Sequence, residues 1–132
     1  MDQFSIGQLA KQANVNLETI RYYERRGLLP KPPRNESGHR RYTHDALRRT
    51  EFIKRTQSLG FSLREISDLL SLRITPGTTC ANVKARVETK IQEIQKKIID
   101  LKEIEQALKR MADKCTRKGP IGQCPILEEL YK

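Results

Sequence analysis

Apolar residues recur along most of the chain at steps of three and four, which is the period of an amphipathic helix. Short polar segments interrupt this pattern, and several of them carry helix-capping residues. Ser5 followed by Gln8 predicts the start of a first helix, and Asn16 predicts the start of a second. Gly27 ends the second helix, so residues 5–27 predict a helix-turn-helix.

The next segment, residues 30–42, is rich in Pro, Gly, Asn and Arg and cannot continue a helix. A turn around Asn35–Gly38 between short extended arms predicts a small hairpin, or wing. Beyond it, capping residues predict two more helices, one beginning after Thr43 and one after Ser62. Together these elements predict a winged helix-turn-helix DNA-binding domain over residues 1–72.

A linker at residues 73–79 precedes residues 80–113, a segment without Pro or Gly that predicts one long helix. Its apolar residues form a heptad-like seam: Val87, Ile91, Ile94, Ile98, Leu101, Ile104, Leu108 and Met111. Because nothing else in the chain is available to cover this seam, a second copy is the expected partner. Residues 114–132 predict a loop and a short helix starting at Pro125. The predicted fold class is therefore mainly all-α.

Charge is concentrated in one part of the chain. The sequence has 26 Lys and Arg against 16 Asp and Glu, a formal charge of +10 over 132 residues. Residues 21–55 hold eleven of these cations and four acids, a net of +7. Such a patch indicates a polyanionic partner, and beside a helix-turn-helix it indicates DNA.

The second helix and the wing expose side chains suited to DNA. Arginine can form bidentate hydrogen bonds with guanine, while Thr, Tyr and His can contact bases or phosphates. Lys54, which follows the wing, would contact the phosphate backbone of DNA and position the domain on it. The predicted DNA-binding residues are Asn16, Thr19, Arg21, Tyr22, Arg25, Arg34, His39, Arg40, Arg41, Tyr42 and Lys54.

Several functional classes are disfavoured. No segment approaches the roughly 20 apolar residues of a membrane span, and the N-terminus does not resemble a signal peptide. A cytoplasmic protein is therefore expected. No nucleophile–base set or phosphate loop is present, so an enzyme is not predicted.

The three cysteines are Cys80, Cys115 and Cys124, an odd number that excludes a fully paired disulfide framework within one chain. Cys80 and Cys115 lie at opposite ends of the predicted long helix, on the order of 50 Å apart at ~1.5 Å per residue. If two such helices pair antiparallel, each Cys80 meets the partner copy's other two cysteines. The dimer would then hold two sites of three thiolates each, which suits a soft metal.

Other interpretations of these features remain open. A structural zinc site is disfavoured because there is no CxxC pair and no His after His44. A disulfide between Cys115 and Cys124 would instead make a thiol redox sensor. A nucleoid-type protein would bind DNA with little sequence preference and would have no use for the cysteines.

Three segments carry a family resemblance: VNLETIRYYERRGLL at 15–29, GHRRY at 38–42 and LGFSLREISDLL at 59–70. They resemble the MerR family of bacterial transcription regulators, and the match covers essentially the whole chain. The resemblance implies a homodimer with winged helix-turn-helix domains and a long antiparallel coiled coil. It further implies binding to double-stranded promoter DNA, repression without metal, and DNA distortion that realigns the promoter for RNA polymerase.

The cysteine pattern, with CTRKGPIGQCPIL at 115–127, is similar to that of the family's mercury-responsive members. It implies that Cys80 of one subunit and Cys115 and Cys124 of the other bind Hg²⁺, one ion per site and two per dimer. Copper-responsive relatives lack the first cysteine, and zinc-responsive relatives carry additional ligands near the loop. Lead- and cadmium-responsive relatives also use three cysteines, so they are the nearest alternatives.

Overall fold

The computed structural model describes residues 3–115 and 117–132, which divide into two compact units at Lys84 and Ala85. The division lies within the long helix. The elements in chain order are β1 (Gln3–Phe4), α1 (Ile6–Gln12), α2 (Leu17–Arg25), β2 (Tyr42–Thr43), α3 (His44–Ser58), α4 (Leu63–Ile74), α5 (Cys80–Asp113), a 3₁₀ turn (Ile121–Gln123) and α6 (Pro125–Tyr131). The predicted, mainly helical fold class is confirmed.

Side-chain caps fix where the helices of the first unit begin. Ser5 and Ser62 each form a complete capping box with the residue three positions later, so α1 and α4 start as predicted. Asn16 accepts from a backbone N–H at the start of α2, and Thr43 does the same for α3. These bonds satisfy backbone donors that would otherwise lack a partner at each helix start.

The wing is held at its tip and at its base. Arg34 and Arg40 form an antiparallel bridge across the predicted turn, and the Asn35 N–H donates to the His39 carbonyl at 2.7 Å. At the base, β2 pairs antiparallel with β1, with Phe4 opposite Tyr42. The sequence did not predict β1, because two residues carry too little pattern to indicate a strand.

One apolar core joins the helices of the first unit. The side chains that it excludes almost completely from solvent include Leu9, Ile20, Leu28, Leu29, Tyr42, Ile53 and Ile66. They come from α1, α2, the segment after α2, β2, α3 and α4, and Phe4 of β1 packs against the cluster. A further tie joins α2 to α3, where the Tyr23 hydroxyl donates to Gln57 Oε1 at 2.7 Å.

The segment between α4 and α5 is shorter than predicted. Helix α4 continues to Ile74, two residues into the predicted linker. Thr75 then leaves the helix with extended backbone, and Pro76 and Gly77 follow it. The break therefore occurs where the helix-breaking residues lie, after two further positions that favour a helix.

Helix α5 begins and ends where the sequence predicted and is 34 residues long. Its apolar side chains are substantially exposed in the single chain, while Lys90 is buried and pairs with Glu93 at 2.7 Å. After α5, Lys114 lies 3.4 Å from Glu129 of α6, which brings the C-terminal helix back to the end of α5. Among the described residues, no helix is long and apolar enough to cross a membrane.

Candidate nucleic-acid interface and metal centre

Helix α2 begins with residues that form its own cap. Asn16 Oδ1 accepts from the backbone N–H of Thr19 at 2.8 Å and from its hydroxyl at 2.9 Å. Arg21 pairs with Glu18 at 3.2 Å on the exposed face of the helix. Asn16 and Thr19 are therefore engaged in the helix cap, while Arg21 is paired with one carboxylate and keeps further N–H donors.

Helix α2 and the wing together line a groove of 690 Å³. Seven predicted DNA-binding residues share it: Arg21, Arg25, Arg34, His39, Arg40, Arg41 and Tyr42. The groove also contains Lys31, so six of its lining side chains are permanent cations. This arrangement concentrates positive charge between two elements that can both approach a duplex.

The wing arginines also donate hydrogen bonds to backbone carbonyls. Arg34 Nη1 donates to the Gly38 carbonyl at 2.9 Å, and Arg40 Nη1 donates to the Pro32 carbonyl at 2.5 Å. Arg41 reaches the Gln3 carbonyl of β1 at 3.3 Å. Because a guanidinium has five N–H donors, each arginine keeps donors for a phosphate or base while its orientation is set.

Four predicted DNA contacts lie outside this groove: Asn16 and Thr19 in the cap of α2, and Tyr22 and Lys54. Tyr22 is 40% exposed, with the guanidinium carbons of Arg25 and Arg26 5.8 and 5.9 Å from its ring centre. Lys54 Nζ donates to the carbonyl of Asn14 at 2.9 Å and lies 3.5 Å from that of Ala13. Lys54 thus caps the end of α1, at the turn where Asn14 has a left-handed backbone, φ +56°.

The groove contains one carboxylate that the sequence did not single out. Glu24 Oε2 accepts from the Tyr42 hydroxyl at 2.7 Å. Burial, followed by the hydrogen bond and charge of Glu24, raises the pKa of Tyr42 far above its usual value. Glu24 and Tyr42 are eighteen positions apart, so no local pattern indicates their contact. Lys31, in contrast, lies in the basic segment at residues 21–55, so charge alone could have indicated it as a DNA-binding candidate.

The three cysteines are free thiols at two places in the chain. Cys80 is the first residue of α5, is exposed, and belongs to the first unit. In the second unit, Cys115 is exposed and accepts from the Arg117 N–H at 3.4 Å, while Cys124 is partly buried at the start of α6. Within the described part of one chain, no three His, Cys, Asp or Glu side chains are grouped to hold a metal.

The sequence matches the family described as MerR HTH family regulatory protein over residues 4–72. A second description, MerR, DNA binding, matches residues 47–111. The chain belongs to the MerR family. It is therefore a DNA-binding regulator of transcription and not an enzyme.

Relatives in this family match over nearly the full chain. The chain is 45% identical to the mercuric resistance operon regulatory protein of Bacillus cereus, over 98% of both sequences. It is 41% identical to the HTH-type transcriptional regulator ZntR of Escherichia coli, over 96% of this chain and 92% of ZntR. The MerR family assignment thus extends beyond the DNA-binding domain to α5 and the C-terminal cysteines.

Two solved structures of transcription regulators are similar in fold. PbrR691 of Ralstonia metallidurans CH34, in complex with lead(II), superposes with a TM-score of 0.84, at 35% identity over 96% of this chain and 98% of that chain. MerR of Bacillus megaterium MB1, in complex with mercury(II), gives a TM-score of 0.74, at 42% identity over 98% and 100%. The fold similarity is higher to the first and the sequence identity higher to the second.

Proposed function

We propose that the chain is a mercury(II)-responsive regulator that acts as a homodimer on promoter DNA in the cytoplasm. Without metal it represses, and with mercury it activates metal-resistance genes by distorting the promoter for RNA polymerase. The observation that carries this proposal is the placement of three free thiols, one at the start of the amphipathic helix α5, one just after its end and one at the start of α6.

The exposed seam of α5 calls for a second copy of the chain. Large apolar side chains along it are between 38% and 63% exposed: Val83, Val87, Ile91, Ile94, Ile98, Leu101, Ile104 and Leu108. A continuous stripe of this kind marks an interaction surface rather than ordinary exposed hydrophobic residues. Its spacing of three and four suits packing against another helix.

The seam has a symmetry that favours antiparallel pairing. Counted inward from Cys80 and from Cys115, apolar residues occur at the same successive steps of three, four, four and three. The matched pairs are Val83 with Ala112, Val87 with Leu108, Ile91 with Ile104, and Ile94 with Leu101. Two antiparallel copies with Cys80 opposite Cys115 therefore align every one of these residues with an apolar partner.

This register brings cysteines from two chains together. Each end of the paired helices would receive Cys80 from one copy and Cys115 with Cys124 from the other. The Lys114–Glu129 contact supports this arrangement, because it returns α6 and the segment preceding it to the end of α5. Three thiolates without a nitrogen or oxygen ligand suit one soft ion such as Hg²⁺, giving two ions per dimer.

Lead(II) is the second candidate effector, because the lead-bound PbrR691 has the higher fold similarity of the two metal-bound structures reported above. Because the chain is also 41% identical to ZntR, zinc is considered as a further candidate ion. The donor set favours a thiophilic ion over zinc, since zinc usually takes four ligands and three thiols would leave a position to water. A competition titration of the reduced protein with mercury, lead, cadmium and zinc, read by transcription from its own promoter, ranks these ions.

The cysteine assignment can be tested by mixing variants. Cys80→Ser, Cys115→Ser and Cys124→Ser should each lose the metal response while operator binding survives. A mixture of the Cys80→Ser chain with a Cys115→Ser/Cys124→Ser chain should regain one metal site per heterodimer. Full induction in any single variant contradicts the three-thiolate site, and a mixture that binds no metal contradicts the shared arrangement.

The antiparallel register can be tested by crosslinking in a chain whose three native cysteines are Ser. Val87→Cys together with Leu108→Cys should give covalent dimers on mild oxidation, while either change alone should not. The matched control combines Val87→Cys with Leu101→Cys, which is displaced by seven residues and should remain uncrosslinked. Dimers formed by Val87→Cys alone would indicate parallel helices and overturn the proposal.

A redox sensor predicts a different result from the same protein. Oxidation that joins Cys115 to Cys124 would then change transcription in the absence of metal, and Cys80→Ser would leave that change intact. In the mercury proposal, Cys80 is required as much as the other two cysteines. The Cys80→Ser variant therefore separates the two functions in one transcription assay.

A further inference from the structure

The groove between α2 and the wing contains one carboxylate among six cations. The cations are Arg21, Arg25, Lys31, Arg34, Arg40 and Arg41, and the carboxylate is Glu24. A carboxylate on a DNA-facing surface opposes the phosphate attraction that its neighbours supply. Its hydrogen-bond partner shows what it contributes at this position.

The partner of Glu24 is held rigidly. Tyr42 is 1% exposed, so its ring cannot change position without disturbing the core. Its backbone lies in β2, paired with Phe4, and the next residue caps α3. A buried hydroxyl requires a hydrogen-bond acceptor, and Glu24 supplies one at 2.7 Å.

This bond joins the two elements that would approach DNA. Glu24 lies in the last turn of α2, between Arg21 and Arg25, while Tyr42 ends the return arm of the wing. The bonds of Arg34 and Arg40 to carbonyls stay within the wing and shape it without attaching it to α2. The Glu24–Tyr42 bond is a direct polar link between α2 and the wing, in addition to the apolar core that α2 and Tyr42 share.

We propose that Glu24 and Tyr42 form a positioning pair that determines operator specificity. Their bond keeps the side chains of α2 and the arginines of the wing in register along the duplex. The remaining negative charge of Glu24 discourages phosphates from entering the groove between them, which lowers binding to unrelated DNA. This inference rests on DNA binding by the α2–wing face, and the experiment measures that binding separately.

The test compares two substitutions that remove the same charge. Glu24→Gln keeps an oxygen that accepts from Tyr42, whereas Glu24→Ala removes the acceptor of this buried hydroxyl, and thermal unfolding checks that both variants are folded. The DNA probes are a duplex selected from random sequences by the native protein and a scrambled duplex of equal length. Dissociation constants are measured for both at several salt concentrations, using the full-length, metal-free protein.

We expect Glu24→Gln to bind both duplexes about threefold more tightly at low salt, with a salt slope steeper by up to about 0.9. Its preference for the selected duplex should stay within about twofold of native. Glu24→Ala should show the same gain on scrambled DNA but lose about tenfold in preference. Tyr42→Phe should lose a similar preference without the gain, while thermal unfolding confirms that it is folded.

The matched control is Glu36→Gln, which removes an exposed acid at the wing turn and should leave the preference unchanged. Equal preferences for Glu24→Ala and Glu24→Gln would overturn the positioning pair. An unchanged salt slope and unchanged scrambled-DNA affinity in Glu24→Gln would overturn the phosphate-exclusion role. If the native protein itself shows no preference between the duplexes, sequence-selective DNA recognition fails, and this is a different result from either.

Discussion

The two units of the chain show two ways of burying apolar residues. The first unit buries Ile20, Ile53 and Ile66 completely among its own elements. The second unit leaves Ile91 and Leu108 about half exposed on one helix face. Similar side chains are thus interior residues in one unit and surface residues in the other. The first unit obtains its stability from one chain, whereas the second is completed only by a partner chain in the proposed dimer.

A charge placed in the seam tests this contrast most strongly. Ile94→Glu would bury two carboxylates per dimer without partners and should raise the dimer dissociation constant about 1,000-fold, or ~4 kcal/mol. Sedimentation equilibrium measures the constant. Ile99→Glu provides the control, because Ile99 lies outside the steps of three and four that define the seam and its substitution should leave the dimer intact. An unchanged dimer dissociation constant in Ile94→Glu would refute the seam as the interface.

A cavity in the first unit should act within one chain. Ile53 is fully buried, so Ile53→Ala should lower the free energy of unfolding of this unit by about 3 kcal/mol. Leu59 is 62% exposed, and Leu59→Ala should change it by less than about 0.5 kcal/mol. Urea unfolding followed by circular dichroism measures both. The effect of Ile53→Ala on the urea midpoint should not depend on protein concentration, because the cavity lies within one chain. The effect of Ile94→Glu should depend on concentration, because it acts on dimer formation.

Alkaline pH should weaken the first unit selectively. Burial raises the pKa of Tyr23, and burial with Glu24 raises that of Tyr42. The unfolded chain releases these protons near the ordinary tyrosine pKa of about 10, while the folded chain keeps them. Stability from these groups is therefore fully present below the ordinary tyrosine pKa and is lost as the pH rises above it toward the raised values. Urea midpoints should show the loss, and it should be smaller in Tyr42→Phe.

The smallest effect concerns the second unit at acid pH. Lys114, followed by Lys132, lowers the pKa of Glu129. The Lys114–Glu129 contact is therefore present above the ordinary glutamate pKa of about 4.3 and is lost as the pH falls through the lowered value. Hydrogen exchange of α6 should rise slightly in that range. Lys114→Met should reduce the pH dependence and leave the smaller contribution of Lys132, whereas Lys102→Met, which removes a charge from α5, should preserve it.

The sequence predicted features whose causes are local. Capping residues such as Ser5 and Ser62 lie within three positions of the groups they bind, so their patterns indicate helix starts directly. The extent of α5 was equally clear, because Pro and Gly are absent within it. The cysteines stood out because their number and spacing are unusual for a chain of this size.

Contacts between distant positions were not predictable in the same way. The Lys54 cap on α1 joins residues forty positions apart, and this lysine was predicted only as a DNA contact, a role that remains a prediction. The pairing of β1 with β2 and the Glu24–Tyr42 bond likewise depend on how the helices pack. Charge and periodicity indicate which surface carries the function, but they do not show which of its residues contact one another.

The symmetric seam of α5 has a consequence for a cell that contains several related regulators. In a mixed pair of helices that differ in length, aligning Cys80 with Cys115 at one end would leave the two cysteines out of register at the other end, even if the apolar stripe survived. In the proposed dimer, helix length therefore determines which subunits can complete both metal sites. A mixed pair with a relative of different spacing would lack a complete set of sites, so full metal response would require two subunits of the same kind.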